Sequence, residues 1–78
     1  MIEVKYFGAV AEKTKCDKET FDFESISLSQ IVADLHQKHQ LESITYSVAV
    51  NQKIVADLEQ YFLQSNDTIA LLPPFAGG

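Results

Sequence analysis

At 78 residues with 46% hydrophobic side chains, the chain can form one small domain with a modest core, and it is too apolar for a disordered segment. A formal net charge of −5, with lysine as the sole basic residue type, excludes the basic, arginine-rich surface that direct nucleic-acid binding uses. No apolar run approaches the ~20 residues needed to cross a bilayer, and the single cysteine, Cys16, cannot build an internal disulfide framework, so a cytoplasmic location is expected.

Residues 2–7 alternate, with Ile2, Val4 and Tyr6 on one face and Glu3, Lys5 and Phe7 on the other, which predicts a first strand and not a signal peptide. Gly8 reads as a turn, and 9–15 as a short, helix-compatible connection. Cys16 reads as an incidental thiol in a polar loop. Residues 18–24 predict a second strand, with Phe21 and Phe23 sharing a face, antiparallel to the first because the connection is short. Ser27 then marks a helix start, with Gln30 completing a capping box and Ile26 and Ile31 forming a hydrophobic staple. Leu28, Ile31, Val32 and Leu35 make one buried stripe. His36, Lys38 and His39 fall near the helix end, where the dipole favours positive charge. The two histidines are three apart, but further ligands at suitable spacing are missing, and a solvated helix end accounts for them better than a metal site.

Residues 44–50 return to strand character, with Tyr46, Val48 and Val50 on one face. Gln52-Lys53 reads as a tight turn and Ile54-Val55 as a short returning strand, which sets Asn51 opposite Ile54. Between Asp57 and Gln64 there is no clean period; Leu58, Tyr61, Phe62 and Leu63 are expected in one irregular turn that closes the core. Asn66-Asp67 makes a turn, and Thr68 to Leu72 the last strand, with Ile69 and Leu71 inward. The order predicts an α+β, β-grasp (ubiquitin-like) domain over 1–72. It has a mixed sheet of four to five strands packed on one main helix, the first and last strands being central and parallel.

Residues 73–78 form the second unit, a flexible C-terminal di-glycine tail. Pro73 and Pro74 stop the strand and favour a stiff, extended spacer. Phe75 and Ala76 lead to Gly77-Gly78, which without side chains can lie flat in a narrow channel and present a terminal carboxylate. Alternation places Phe7, Ala49, Ile54, Ala70 and Leu72 on the sheet face opposite the helix, which no second helix is left to cover. Such a patch at the root of the tail reads as a partner surface. A convincing catalytic carboxylate pair, a nucleophile-elbow serine and a glycine-rich phosphate loop are all missing from the sequence, so a partner is expected to supply any activation of the carboxylate.

The segments Ile2–Glu12 (IEVKYFGAVAE), Val50–Val55 (VNQKIV) and Asn66–Pro74 (NDTIALLPP), closed by Gly77-Gly78, resemble the small, sulfur-carrier subunits of molybdopterin synthases over essentially the whole chain. The di-glycine is shared by many ubiquitin-like carriers; its combination with Pro73-Pro74 and the Phe7-Gly8 opening is more specific. The resemblance implies that a ubiquitin-activating-like adenylating enzyme, supplying the ATP and zinc sites, adenylates the Gly78 carboxylate, so no cofactor is bound by this chain itself. A sulfur donor protein then makes the thiocarboxylate. The tail inserts into the large synthase subunit, a heterotetramer being expected, and Gly78 gives its sulfur to cyclic pyranopterin monophosphate. This would make the chain the non-catalytic subunit of a two-component sulfurtransferase. By the same resemblance, Phe7, Ile54, Leu72 and the tail residues Pro73, Pro74, Phe75 and Ala76 contact those partners. The family often has arginine where Ala11 stands and glycine where Asn66 stands. The first puts one polar partner contact in doubt; the second is a usual substitute at positive φ. The alternatives are a sulfur carrier for thiamine thiazole or cysteine synthesis, a ubiquitin-like protein modifier and a plain binding module with an inert tail.

Overall fold

The computed structural model describes residues 1–22 and 26–73. Its seven strands are β1 (Ile2–Tyr6), β2 (Lys18–Phe21), β3 (Ile26–Ser27), β4 (Ser47–Val50), β5 (Lys53–Ile54), β6 (Phe62–Leu63) and β7 (Thr68–Leu72). Two α-helices, α1 (Gly8–Thr14) and α2 (Leu28–His39), and two 3-10 turns at Leu41–Ser43 and Leu58–Gln60 complete the order. Five strands form one mixed sheet in the order β2-β1-β7-β4-β5. As expected, β1 and β7 are central and parallel, pairing Val4 with Ile69 and Tyr6 with Leu71, while β1–β2 and β4–β7 are antiparallel. This is the β-grasp plan.

Alternation decides which side of the sheet is dry. Ile2, Val4, Tyr6, Val48, Val50, Ile69 and Leu71 point to α2 and are buried, where they meet Leu28, Ile31, Val32 and Leu35 from the helix stripe. Burial of these side chains, worth roughly 1.5–3 kcal/mol each, is the main force holding the sheet to the helix. Helix α2 starts where Ser27 Oγ accepts from the Gln30 amide at 3.2 Å. The Gln30 side chain, however, donates forward to Asp34 Oδ1 at 3.0 Å, so the cap is made by Ser27, with Gln30 serving the helix face instead of completing a box. The helix ends at Gln40 in the left-handed region, φ 56°.

The helix-compatible connection forms a full helix over residues 8–14, covering the end of the sheet with buried Val10. Two local expectations are corrected. The hairpin turn is Asn51-Gln52, both at positive φ (51° and 72°), not Gln52-Lys53, and this sets Ile54 opposite Ala49 instead of Asn51. The segment after Asp57 is not one irregular turn. It makes a 3-10 turn and then β6, which pairs with β3 in a separate two-stranded ladder, Ile26 opposite Leu63. There Leu63 is buried while Phe62 is exposed. Cys16 lies in the loop between α1 and β2, as expected, and is half-buried against the core. The Asn66 turn is as expected, at φ 72°. Phe23 lies outside the described residues. Among the described residues no helix is long and apolar enough to cross a membrane.

Candidate functional site

The sheet face away from α2 carries a shallow concavity of about 530 Å³ lined by Phe7, Ala49, Ile54, Ala70 and Leu72 together with Lys5, Asn51, Gln52 and Thr68. Register explains its shape. Ala49 pairs with both Ile54 and Ala70, so two methyl side chains stand side by side at the centre of the face. Larger side chains surround them, with Phe7 and Leu72 at the ends of neighbouring strands and Ile54 on the edge. Ala49 itself is only 3% exposed: it is the floor, covered by its neighbours, while Phe7 (42%) and Ile54 (53%) stand out into solvent. Phe7, Ile54 and Leu72 are therefore brought together, as alternation predicts. Of the polar members of the lining, Lys5 and Thr68 follow the same alternation on β1 and β7, while Gln52 enters through the hairpin's left-handed turn.

That turn is fixed by a side-chain corner. Asn51 Nδ2 donates to Asp67 Oδ1 at 3.0 Å, and Asn51 Oδ1 accepts from the Thr68 amide at 3.0 Å. Asp67 Oδ2 in turn accepts from the Gln64 amide at 2.8 Å. The β4–β5 hairpin and the approach to β7 are thus one hydrogen-bonded unit, which holds Ile54 beside the central strands.

The root of the tail is fixed from the other side. The Phe7 amide donates to the Leu71 carbonyl at 3.1 Å, extending the parallel ladder one step past β1. The Phe7 carbonyl accepts from the Val10 amide at 3.2 Å as α1 begins. Gly8 follows at φ +58°, and Pro73 packs so closely on it that a Cβ there would lie 2.7 Å from the proline Cγ. The remaining predicted tail residues, Pro74, Phe75, Ala76, Gly77 and Gly78, lie outside the described residues.

A second polar centre lies on the helix side of the sheet. Glu19 on edge strand β2 accepts from the Tyr6 hydroxyl at 2.6 Å and from Lys38 Nζ at 2.7 Å, and His39 Nε2 stands 2.6 Å from the same carboxylate. A carboxylate only accepts, so this histidine nitrogen carries its proton. Burial by itself would raise the Glu19 pKa, but the hydrogen bonds from Lys38, Tyr6 and His39 outweigh it and hold the value down to about 2. Burial, reinforced by the Glu19 contact, pushes the Tyr6 hydroxyl far above its ordinary range. The His39 side chain is only 13% exposed, so it belongs to a structural tie and not to the solvated helix end that spacing suggests. Neither this cluster nor any other among the described residues gathers three His, Cys, Asp or Glu groups that could hold a metal ion.

The model of the ThiS family matches residues 4–78. A chain from the protein–protein complex of subunits 1 and 2 of the molybdopterin-converting factor of Helicobacter pylori 26695 is 28% identical, with a TM-score of 0.71 over 99% of this chain and 97% of that one. SAMP1 of Haloferax volcanii is 25% identical, with a TM-score of 0.77 over 99% and 98%. The small archaeal modifier protein 1 of Methanosarcina acetivorans, at 21% identity and a TM-score of 0.73 over 99% and 95%, shares the fold.

Proposed function

Because the chain belongs to the ThiS family of β-grasp sulfur carriers, we propose that it is the sulfur-donating small subunit of a molybdopterin synthase. The Gly78 carboxylate attacks the α-phosphate of ATP on a separate adenylating enzyme, and pyrophosphate leaves. The outer sulfur of a persulfide on a sulfur donor protein attacks the acyl carbon and AMP departs; a second thiol then cleaves the resulting acyl disulfide, leaving the chain's thiocarboxylate and a disulfide on the donor side. On the large synthase subunit the thiocarboxylate sulfur attacks cyclic pyranopterin monophosphate, and hydrolysis of the acyl group returns the carboxylate. ATP is bound by the activating partner; this chain supplies the carrier group and the docking surface.

The observation that carries this reading is the position of the apolar concavity at the tail's root. Phe7 and Leu72 border the concavity, and the Phe7–Leu71 hydrogen bond and the Gly8–Pro73 contact lie beside it. A partner covering Phe7, Ile54 and Leu72 would find Pro73 at its edge and receive Pro74 to Gly78 in its own active site. The molybdopterin branch is preferred because the H. pylori protein, similar over nearly its full length, is a subunit of a molybdopterin-converting complex. The test is intact-mass analysis after incubation with the adenylating enzyme, ATP, a persulfide donor and a thiol reductant, followed by addition of the large subunit and the cyclic pterin. Replacement of one oxygen by sulfur, then its return with dithiolene formation, is expected. An unchanged mass would refute every sulfur-carrier function, and a thiocarboxylate that a thiazole synthase consumes but the pterin system does not would move the chain to the thiamine branch.

The similarity to SAMP1 supports a second reading, in which Gly78 forms isopeptide bonds with lysines of other proteins. Lysine conjugates bearing the Gly77-Gly78 remnant in extracts of the native host would establish it.

A further inference from the structure

We propose that the row of side chains running across the sheet from Lys5 through Ala70 and Ala49 to Ile54 is a socket. It takes one large apolar side chain of the partner protein, seated on the two alanine methyls, with a carboxylate of that partner beside it at Lys5. The inference rests on the proposed carrier function and deepens it, stating what the large synthase subunit presents to this face.

Register sets up the row. Lys5 pairs with Ala70, Ala70 with Ala49, and Ala49 with Ile54, so the four stand abreast on β1, β7, β4 and β5. Alanine is a poor strand residue, depleted where valine or isoleucine fits the pleated surface better. Two of them abreast in the middle of a sheet add little to its stability; what they leave is room. Ala49 is 3% exposed and Ala70 half-buried, under the taller walls of Phe7, Leu72 and Ile54. The walls are in place before a partner arrives. The Phe7 amide is held by the Leu71 carbonyl at 3.1 Å, and Ile54 by the hairpin that the Asn51 corner fixes. A preformed seat of this kind needs little ordering on binding.

Void and charge together choose the occupant. A flat partner surface laid over two methyls leaves a gap whose lining has no contact atoms on one side, and an apolar floor gives a trapped water nothing to bond. A large apolar side chain fills it, as anchors in interface pockets do. The charge is that of Lys5. In a chain with 11 acidic side chains, Lys5 alone is charged among the described residues that line the concavity. Its Nζ lies 3.8 Å from Glu3 Oε1, and Glu3 also serves Lys18 at 3.8 Å, which stands opposite Lys5 on β2. Such long, exposed contacts are weak, so a Lys5 covered by a partner needs a further anion. With strands about 4.8 Å apart, that carboxylate belongs roughly 7 Å from the centre of the alanine pair. A second copy of the chain, docking through the same patch, would meet Lys5 with a described lining that holds no acid.

The experiment measures binding of the full chain to the purified large synthase subunit by calorimetry. It compares wild type with Ala70→Leu, Ala70→Val, Lys5→Gln, Lys5→Glu and Thr20→Leu. Thr20 pairs with Glu3 on the same sheet face but lies outside the concavity, so Thr20→Leu adds apolar area without filling the socket. Ala70→Leu is expected to weaken binding about thirtyfold and Ala70→Val about fivefold, with Thr20→Leu within about twofold of wild type. Lys5→Glu should weaken it at least about tenfold. Lys5→Gln should weaken it about threefold and respond less than wild type to a rise from about 0.05 to 0.5 M salt. Docking on a plain apolar patch predicts the opposite for Ala70→Leu, equal or tighter binding from the added apolar area, and that result would overturn the socket. Lys5→Glu binding like wild type at low salt would overturn the carboxylate. Valine is a good strand residue, so Ala70→Val decides the matter if Ala70→Leu lowers the urea midpoint. A chain that dimerises alone and loses the dimer in Ala70→Leu would give the seat to a second copy and overturn the assignment. A wild-type chain with no affinity for the large subunit would instead refute the molybdopterin-synthase function itself, and the socket's occupant with it.

Discussion

Replacing Glu19 by glutamine isolates the charge at the helix-side tie. Glutamine keeps an oxygen to accept from the Tyr6 hydroxyl, so that partly buried group is not orphaned; what is lost is the negative charge facing Lys38 and His39. The magnitude follows from linkage. The Glu19 pKa, held down from 4.5 to about 2, sets an upper bound of roughly 3 kcal/mol; solvent screening at Lys38, 53% exposed, and the Tyr6 bond that glutamine keeps reduce the loss to about 1–2 kcal/mol. An independent figure, about 1.5–3 kcal/mol for hydrogen bonds to a charged group, overlaps that range. The sign is that of a depressed carboxylate: the stabilisation is complete above pH ~4.5 and disappears as pH falls through ~2. For a domain of this size, a loss of about 1–2 kcal/mol at pH 7 lowers Tm by roughly 5–15 °C. Urea unfolding followed by circular dichroism, repeated from pH 7 down to pH 2, checks it. The gap between wild type and Glu19→Gln should narrow with acid, because the wild-type carboxyl is then being protonated as well. A gap of the same size at pH 7 and pH 2, or one below about 0.5 kcal/mol at pH 7, would show that the carboxylate charge does not tie β2 to α2.

Three further outcomes follow from the geometry. Phe7→Asp, at a side chain 42% exposed, should change unfolding free energy by less than about 1 kcal/mol yet weaken binding to the large synthase subunit at least about tenfold, read by calorimetry. Ser27→Ala removes the one side-chain cap of α2 and should cost about 1 kcal/mol in urea unfolding. Asn51→Ala loses the bonds to Asp67 and the Thr68 amide and leaves alanine at φ 51°. It should cost about 2 kcal/mol, whereas Asn51→Gly, which keeps the backbone conformation, should cost less.

Alternation and capping carried much of the fold into the sequence. The inward set Ile2, Val4, Tyr6, Ile69 and Leu71 and the Ser27 cap needed only local pattern, and the bounds of β7 match the predicted run Thr68 to Leu72. The grouping of Phe7, Ile54 and Leu72 followed from the same period of two. The two-residue ladder of β3 and β6 could not be read this way, since two residues have no period and their partners are some 36 positions apart. The Asn51-Gln52 turn was misplaced by one residue because, without glycine, only its tertiary bonds to Asp67 and Thr68 mark it. Gly8 looked like an ordinary turn; the reason for a glycine there is Pro73, 65 positions later. The Glu19 tie did leave a signal. Alternation in β2 puts Glu19 on the same side as Phe21, and an acid on the inward side of a strand needs donors.

The placement of β7 has a consequence for how the chain comes off the ribosome. This last described strand lies between β1 and β4, so it supplies the middle of the sheet, not an edge. Pairing Val4 with Ile69 spans nearly the whole sequence, and such long-range contacts form late in folding. Until residues 68–72 have emerged, β1 lacks its inner neighbour and Ile2 and Val4 lack much of their cover. Synthesis of the tail follows immediately. A nascent or truncated chain that lacks residues 68–72 therefore lacks both the central strand that leads into Pro73 and the part of the apolar face carried by Ala70 and Leu72.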